Sequence, residues 1–265
     1  LCKSTVYSYY WADELVDETG EAVAPNGEAL KGHIHINTLQ IWLSNYLEKQ
    51  LFGGRYGWQV NIPFTSRSAA PVFFNQSFDS PGHTLSIADL YIEPFNLRWH
   101  WDRVDLFLAY GFFAPTGKFH RLTNTRNRGL GNWSQMATVA STFFWDSAST
   151  VSFSFYGTYE FHGRSRHLDF TAGQNLCVDF GFGKRLGIVT VGLVGYFEMA
   201  TTYDTGSGVP EIARNLKDRV AALGPEVSIE IGPLRSKLVF RYETEFAAKG
   251  RTQGNLGVVN AVVNW

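Results

Sequence analysis

The sequence predicts an all-β fold, a transmembrane antiparallel β-barrel of about twelve strands with long extracellular loops and short periplasmic turns. Three observations carry the prediction. Apolar and polar residues alternate with period two along most of the chain. The charges on these runs collect on one face, as they must where a mid-membrane Lys or Arg facing lipid costs about 2–4 kcal/mol. The runs reach about ten residues, nearer a tilted membrane strand than the ~5–6 residues of a globular sheet.

Taken in order, the first run covers residues 5–15, where Tyr7, Tyr9, Tyr10 and Trp11 leave the faces undecided. Residues 33–46 form the second. In the third, residues 55–64, Tyr56, Trp58, Val60, Ile62 and Phe64 oppose Arg55, Gly57, Gln59 and Asn61. The fourth, residues 88–101, changes face near Pro94: Asp89, Tyr91 and Glu93 share a parity with Phe95, Leu97 and Trp99. A bulge at Pro94 restores the order, because proline cannot donate to the ladder. Residues 104–113 and 133–145 supply two more runs. Along residues 151–162, Phe153, Phe155, Tyr159 and Phe161 oppose Ser152, Ser154, Tyr156, Glu160 and His162. Residues 168–182 set Leu168, Phe170, Val178 and Phe180 against Asp169, Cys177 and Asp179. In residues 189–201, Val191, Leu193 and Phe197 oppose Glu198. In residues 221–231, Leu223, Val227 and Ile229 oppose Glu226 and Glu230. Residues 238–246 place Phe240, Tyr242 and Phe246 against Arg241 and Glu243. The last run ends with Gly257, Val259, Ala261, Val263 and Trp265 on one face, and a terminal aromatic suits the membrane interface.

The connections alternate in length. Long ones fall near residues 16–32, 65–87, 114–132 and 201–217, and short ones at 102–103, 146–150, 183–187 and 232–235. With an even strand number, this places both termini on the periplasmic side. Residues 163–166 and 247–254 are short for outer connections, and 47–54 is long for a turn. No second domain is apparent, so residues 1–265 are read as one barrel domain.

Composition narrows the function. A formal net charge of -1 gives no bulk attraction to nucleic acid, so no nucleic-acid partner is expected. A 45% hydrophobic content with 15% aromatics excludes disorder. No run of about 18 apolar residues predicts a membrane helix. Cys2 and Cys177 form no disulfide framework or zinc spacing, and sequence does not decide whether they pair. His33 and His35, with Asp13 and Glu14 on the preceding run, lack the further ligands of a typical metal site, so no metal or cofactor is expected. The chain starts at Leu1 without a Met, the pattern expected when a secretory segment has been removed.

Several ordered motifs resemble a known family. They are Ala88-Asp89-Leu90-Tyr91-Ile92-Glu93-Pro94-Phe95, then Trp99-His100, then Gly111-Phe112-Phe113-Ala114-Pro115-Thr116-Gly117. Gly195-Tyr196-Phe197, Gly206-Ser207-Gly208 and Leu223-Gly224-Pro225-Glu226-Val227 follow in the same order. Together they resemble the outer-membrane channel family associated with the meta-pathway of phenol degradation, with Ala88 where that family usually has glycine. Members carry a Gly/Pro-rich segment ahead of the first strand; this sequence starts after that point, as expected of a truncated start, so the role of that segment is not carried over. The resemblance implies a monomeric twelve-stranded barrel in the outer membrane of a Gram-negative bacterium, taking up hydrophobic small molecules, aromatic ones among them. It implies no catalytic residues.

Parity assigns the channel-lining residues as Glu93, Arg98, Phe107, Phe113, Met136, Phe144, Tyr156, Glu160, Asp169, Asp179, Glu226, Glu230, Arg241 and Glu243. The rings suit a poorly soluble solute, which exchanges water for side-chain contacts along the wall. They equally suit a narrow lumen filled by its own side chains. The inward charges read as a cross-strand ion-pair network or as a polar constriction. Residues 116–133 hold Lys118, His120, Arg121, Arg126 and Arg128 without an acid. Such a basic extracellular loop suits lipopolysaccharide phosphates, an inward gate or plain solvation. The expected partners are outer-membrane lipid, lipopolysaccharide and a hydrophobic small-molecule solute. Two alternatives remain. One is a phospholipase-like barrel enzyme with Ser141 as its outward serine; the other is a structural barrel without transport.

Overall fold

The computed structural model describes residues 2–22, 34–69, 84–119, 127–209 and 215–264. Among these, twelve long strands and one short one follow in order: β1 (Cys2–Leu15), β2 (Ile34–Leu51), β3 (Gly54–Ala69), the two-residue β4 (Ser86–Ile87), β5 (Leu90–His100), β6 (Val104–Ala114), β7 (Ser134–Phe144), β8 (Val151–His162), β9 (Asn175–Leu186), β10 (Val189–Ala200), β11 (Arg219–Ile231), β12 (Ser236–Lys249) and β13 (Thr252–Asn264). Each long strand pairs antiparallel with its chain neighbours. β1 pairs with both β2 and β13, which closes the ring and leaves the long strands no free edge.

Closure separates the two faces of every strand. Phe153, Leu193, Val227 and Phe240 stand exposed on the outside, with Leu193 49% exposed. Two stacked sheets would have hidden these side chains. The inner face carries Glu93, Asn96, Ser134 and Glu243, all fully buried. The fold is therefore turned inside out relative to a soluble sandwich, as a lipid solvent demands. Toward the long connections, Val16, Tyr196, Val220, Ala222 and Ala248 form one buried cluster.

The bulge expected at Pro94 is present. The β5–β6 register shifts between Ile92 and Phe95, and the β3–β5 register shifts between Gly57 and Gln59. Phe52 (φ 51°) and Gly53 (φ 74°) make the turn that ends β2, with the β2 register irregular between Tyr46 and Gln50. The predicted outer connection at 247–254 contracts to residues 250–251, because β12 and β13 extend to Lys249 and Thr252. Gly250 turns that corner with φ 67°.

One strand starts later than its pattern suggests. β9 begins at Asn175, and residues 168–174 leave the barrel. That segment pairs with the next long connection instead. Thr171 and Thr205 exchange backbone hydrogen bonds of 2.8 and 2.9 Å, and Ser207 donates its backbone N–H and its hydroxyl to Asp169. Both cysteines are free: Cys2 opens β1 at the short-turn end, and Cys177 lies near the opposite end of β9. His33, Arg121, Arg126 and Trp265 lie outside the described residues.

Candidate functional site

The site is built from inward positions of nearly every strand. A cavity of about 910 Å³ occupies the short-turn half of the barrel. Ser4 and Val6 of β1, Trp42 of β2, Gln59 of β3, Arg98 of β5, Phe107 of β6, Ser154 and Tyr156 of β8, Asp179 of β9 and Arg241 of β12 line it. Their spacing of two within each strand is the pleat repeat that sends alternate side chains inward. The wall mixes aromatic faces with hydroxyls and a few charges, the usual balance of a small-molecule site.

Toward the long-loop end, hydrogen-bonded side chains fill the lumen. Glu93 takes Tyr91 Oη–H at 2.9 Å and Asn96 Nδ2–H at 2.8 Å. The Tyr91 ring packs against Phe113 at 4.8 Å and Trp42 at 5.9 Å. On the opposite wall, Glu245 accepts from Tyr10 Oη at 2.8 Å, Tyr196 Oη at 2.7 Å and the Gly254 backbone at 2.6 Å. Between these clusters and the cavity, Arg241 grips Glu226 through Nε at 2.9 Å and Nη2 at 2.8 Å, with Asp179 and Glu243 each at 3.9 Å. Burial demands such partners, since an isolated buried charge costs several kcal/mol.

The residues proposed from parity are distributed as follows. Arg98, Phe107, Tyr156, Asp179, Glu226 and Arg241 meet at the cavity. Glu93, Phe113 and Glu243 belong to the filled layer above it. Met136 faces Glu160 across β7 and β8, where Glu160 lies 3.4 Å from His162. Phe144 pairs with Ser152 near the short-turn end, and Glu230 is exposed there opposite Lys237. Asp169 does not line the lumen. It sits in the connection before β9, bound to Arg164 at 2.9 Å and to Ser207, because the alternating pattern there belongs to a loop pairing rather than to the wall.

The basic loop is divided. Lys118 is exposed, whereas Arg128 is buried. Asp89, just ahead of β5, anchors both ends of this connection by accepting from Gly117 N at 2.9 Å and Leu130 N at 2.7 Å. Burial raises the Asp89 carboxyl above its ordinary value, although the backbone N–H groups oppose that rise. Burial also lowers the Arg128 guanidinium. At the other end, Asp146 organises the turn before β8. The Thr150 hydroxyl, followed by the Val151 N–H, lowers its pKa to about 2.

Neither the enzymatic nor the metal reading gathers its residues. Ser141 Oγ donates to the Asp105 carbonyl at 2.8 Å. Ser134 Oγ and Glu160 both approach Nδ1 of His162, at 2.8 and 3.4 Å, whereas a catalytic triad needs the serine and the acid on opposite ring nitrogens. Ser134 is also fully buried. The His35 ring stacks on Tyr9, with Nδ1 2.6 Å from its hydroxyl. Among the described residues no three His, Cys, Asp or Glu side chains are grouped to hold a metal.

Parity reasoning missed Tyr10, Trp42, Tyr91, Asn96, Tyr196 and Glu245 as interior residues. Glu245 shares the parity of Arg241 and Glu243, so extending that run by one step would have found it.

The family described as putative MetA-pathway of phenol degradation matches residues 12–261. No curated protein matches the sequence. Among solved structures, an outer-membrane channel from Pseudomonas putida superposes with a TM-score of 0.80 at 11% identity, covering 99% of this chain and 94% of that one. The β-domain of the Bordetella autotransporter BrkA gives 0.56 at 12% identity, covering 100% and 98%. The monoaromatic hydrocarbon channel CymD gives 0.51 at 11% identity, covering 100% and 88%.

Proposed function

Because the chain belongs to the putative MetA-pathway of phenol degradation family, we propose that it is an outer-membrane channel for passive, diffusive uptake of hydrophobic and aromatic small molecules in a Gram-negative bacterium. The observation that carries this reading is the lumen cavity of about 910 Å³, whose walls set Trp42, Phe107 and Tyr156 beside hydroxyls and a few charges. Such a wall accepts an apolar solute by replacing water with ring contacts. The Pseudomonas putida protein and CymD are themselves channels, which supports the same reading. No catalytic step is assigned to it.

A barrel closed by its own first and last long strands can act as a monomer. Its belt of exposed aromatics, including Trp101, Trp133 and Trp145, suits the two lipid interfaces. The exposed Lys118 offers a cation to lipopolysaccharide phosphate.

The test is flux of benzyl alcohol into lipopolysaccharide-containing liposomes bearing the protein. Protein should accelerate it, with much less effect on a sugar of similar size. Phe107→Asn removes one apolar face of the cavity and should slow benzyl alcohol on the order of tenfold, with little change for the sugar. Equal entry of the aromatic solute with and without protein would rule the reading out.

A further inference from the structure

The cavity holds two arginines in different states. Arg241 is committed to Glu226, with Asp179 and Glu243 close by. Arg98 carries neither an ion pair nor a hydrogen bond among the described residues. Its guanidinium lies over two rings instead, 4.0 Å from the centre of Tyr46 and 5.2 Å from that of Phe107. The neighbouring carboxylates hold other donors: Glu93 accepts from Tyr91 and Asn96, Asp105 pairs with His100, and Glu226 pairs with Arg241. Glu93 acts on Arg98 through space, without a hydrogen bond or a close ion pair to it. The fork of Arg98 is therefore oriented by stacking, exposed to the cavity, and left with its hydrogen-bond donors unspent.

An arginine in bulk water needs no partner. Within a walled cavity, beside apolar rings, the same group forms half of an amphiphile site. A planar carboxylate matches the guanidinium fork with two parallel hydrogen bonds. Phe107, Trp42 and Tyr156 stand in the same cavity to take an apolar or aromatic body. We propose that Arg98 is the anchor of a binding subsite for organic carboxylates, so that the solutes held in the lumen are aromatic or aliphatic acids in their anionic form. This inference rests on the uptake reading above and specifies its solute class. It also fits the physics of entry, because a carboxylate crosses a bilayer unaided far less readily than its neutral counterpart does.

The test is isothermal titration of the full chain in lipid nanodiscs with benzoate and with benzamide, its neutral isostere. The wild type should bind benzoate about tenfold or more tightly than benzamide, the range expected for hydrogen bonds to a charged group. Arg98→Gln should remove that preference, with benzoate weakened far more than benzamide, and its remaining benzamide binding reports that the cavity is intact. Arg98→Lys should keep part of it, since a point charge remains without the fork. Equal wild-type affinities for the two ligands, or a benzoate preference that survives Arg98→Gln, would overturn the carboxylate subsite and leave hydrophobic uptake standing. Binding of neither ligand would overturn both.

Discussion

Gly224→Ala should prevent the barrel from assembling. A Cβ at this position of β11 meets the Tyr242 carbonyl oxygen of β12, with Tyr242 C at 2.7 Å and Glu243 Cα at 2.8 Å. All three are backbone atoms of the adjoining strand, so no rotamer change makes room. The strands must separate, and in hydrocarbon a broken ladder leaves unpaired N–H and C=O groups that water does not rescue. Overpacking alone typically costs about 1–3 kcal/mol, and the lost pairing adds to it. The readout is the heat-dependent mobility shift of a folded barrel on a denaturing gel, alongside circular dichroism after refolding into detergent. Gly232→Ala serves as the control, because a Cβ there meets nothing within 4 Å. Wild-type folding of Gly224→Ala would show that β11 and β12 do not approach as described.

Glu245→Ala should produce the second large effect, in stability rather than assembly. This carboxylate accepts from Tyr10, Tyr196 and the Gly254 backbone, and only 4% of the residue is exposed. Tyr10 retains a second contact to Thr252 at 3.0 Å, whereas Tyr196 and Gly254 lose the acceptor described for them. At about 1–3 kcal/mol for each of these two stranded donors, the loss should total about 2–6 kcal/mol. Urea unfolding in lipid vesicles measures it. Glu245→Gln keeps one carbonyl acceptor and should recover part of the loss. A Glu245→Ala midpoint equal to the wild type would mean that the Tyr10–Glu245–Tyr196 link does not hold the inner wall.

The ring itself was legible in the sequence because lipid is an unforgiving solvent. Each strand must keep charge off one face, so Phe153 beside Ser154, or Phe240 beside Arg241, announces its direction without reference to any other strand. Even the bulge at Pro94 could be read, since the face change falls on a residue that has no N–H to give to the ladder. The start of β9 could not. Alternation is a property of any extended segment with two environments, and residues 168–174 find theirs against the neighbouring connection. The interior was legible only in part. Parity says that Glu245 points inward, but not that it meets Tyr10 two strands away along the wall. Nor does it separate Arg241, held by three carboxylates, from Arg98, held by two rings. Those facts depend on which strands stand side by side in the closed ring and at what register, which no local pattern sets.

The division of each strand into a lipid face and a lumen face is open to direct measurement at two adjacent residues. Phe153 is 39% exposed on the outer wall, while Ser154 lines the cavity and lies 2.8 Å from the Thr142 hydroxyl. With Cys2 and Cys177 both replaced by serine, Phe153→Cys and Ser154→Cys can each be treated with a water-soluble maleimide in liposomes. Labelling at position 154, with protection at position 153 that ends once the bilayer is dissolved and the protein denatured, is the predicted result. Equal labelling of the two cysteines in the intact bilayer, or labelling at 153 alone, would contradict a barrel whose alternate side chains face hydrocarbon and an enclosed interior.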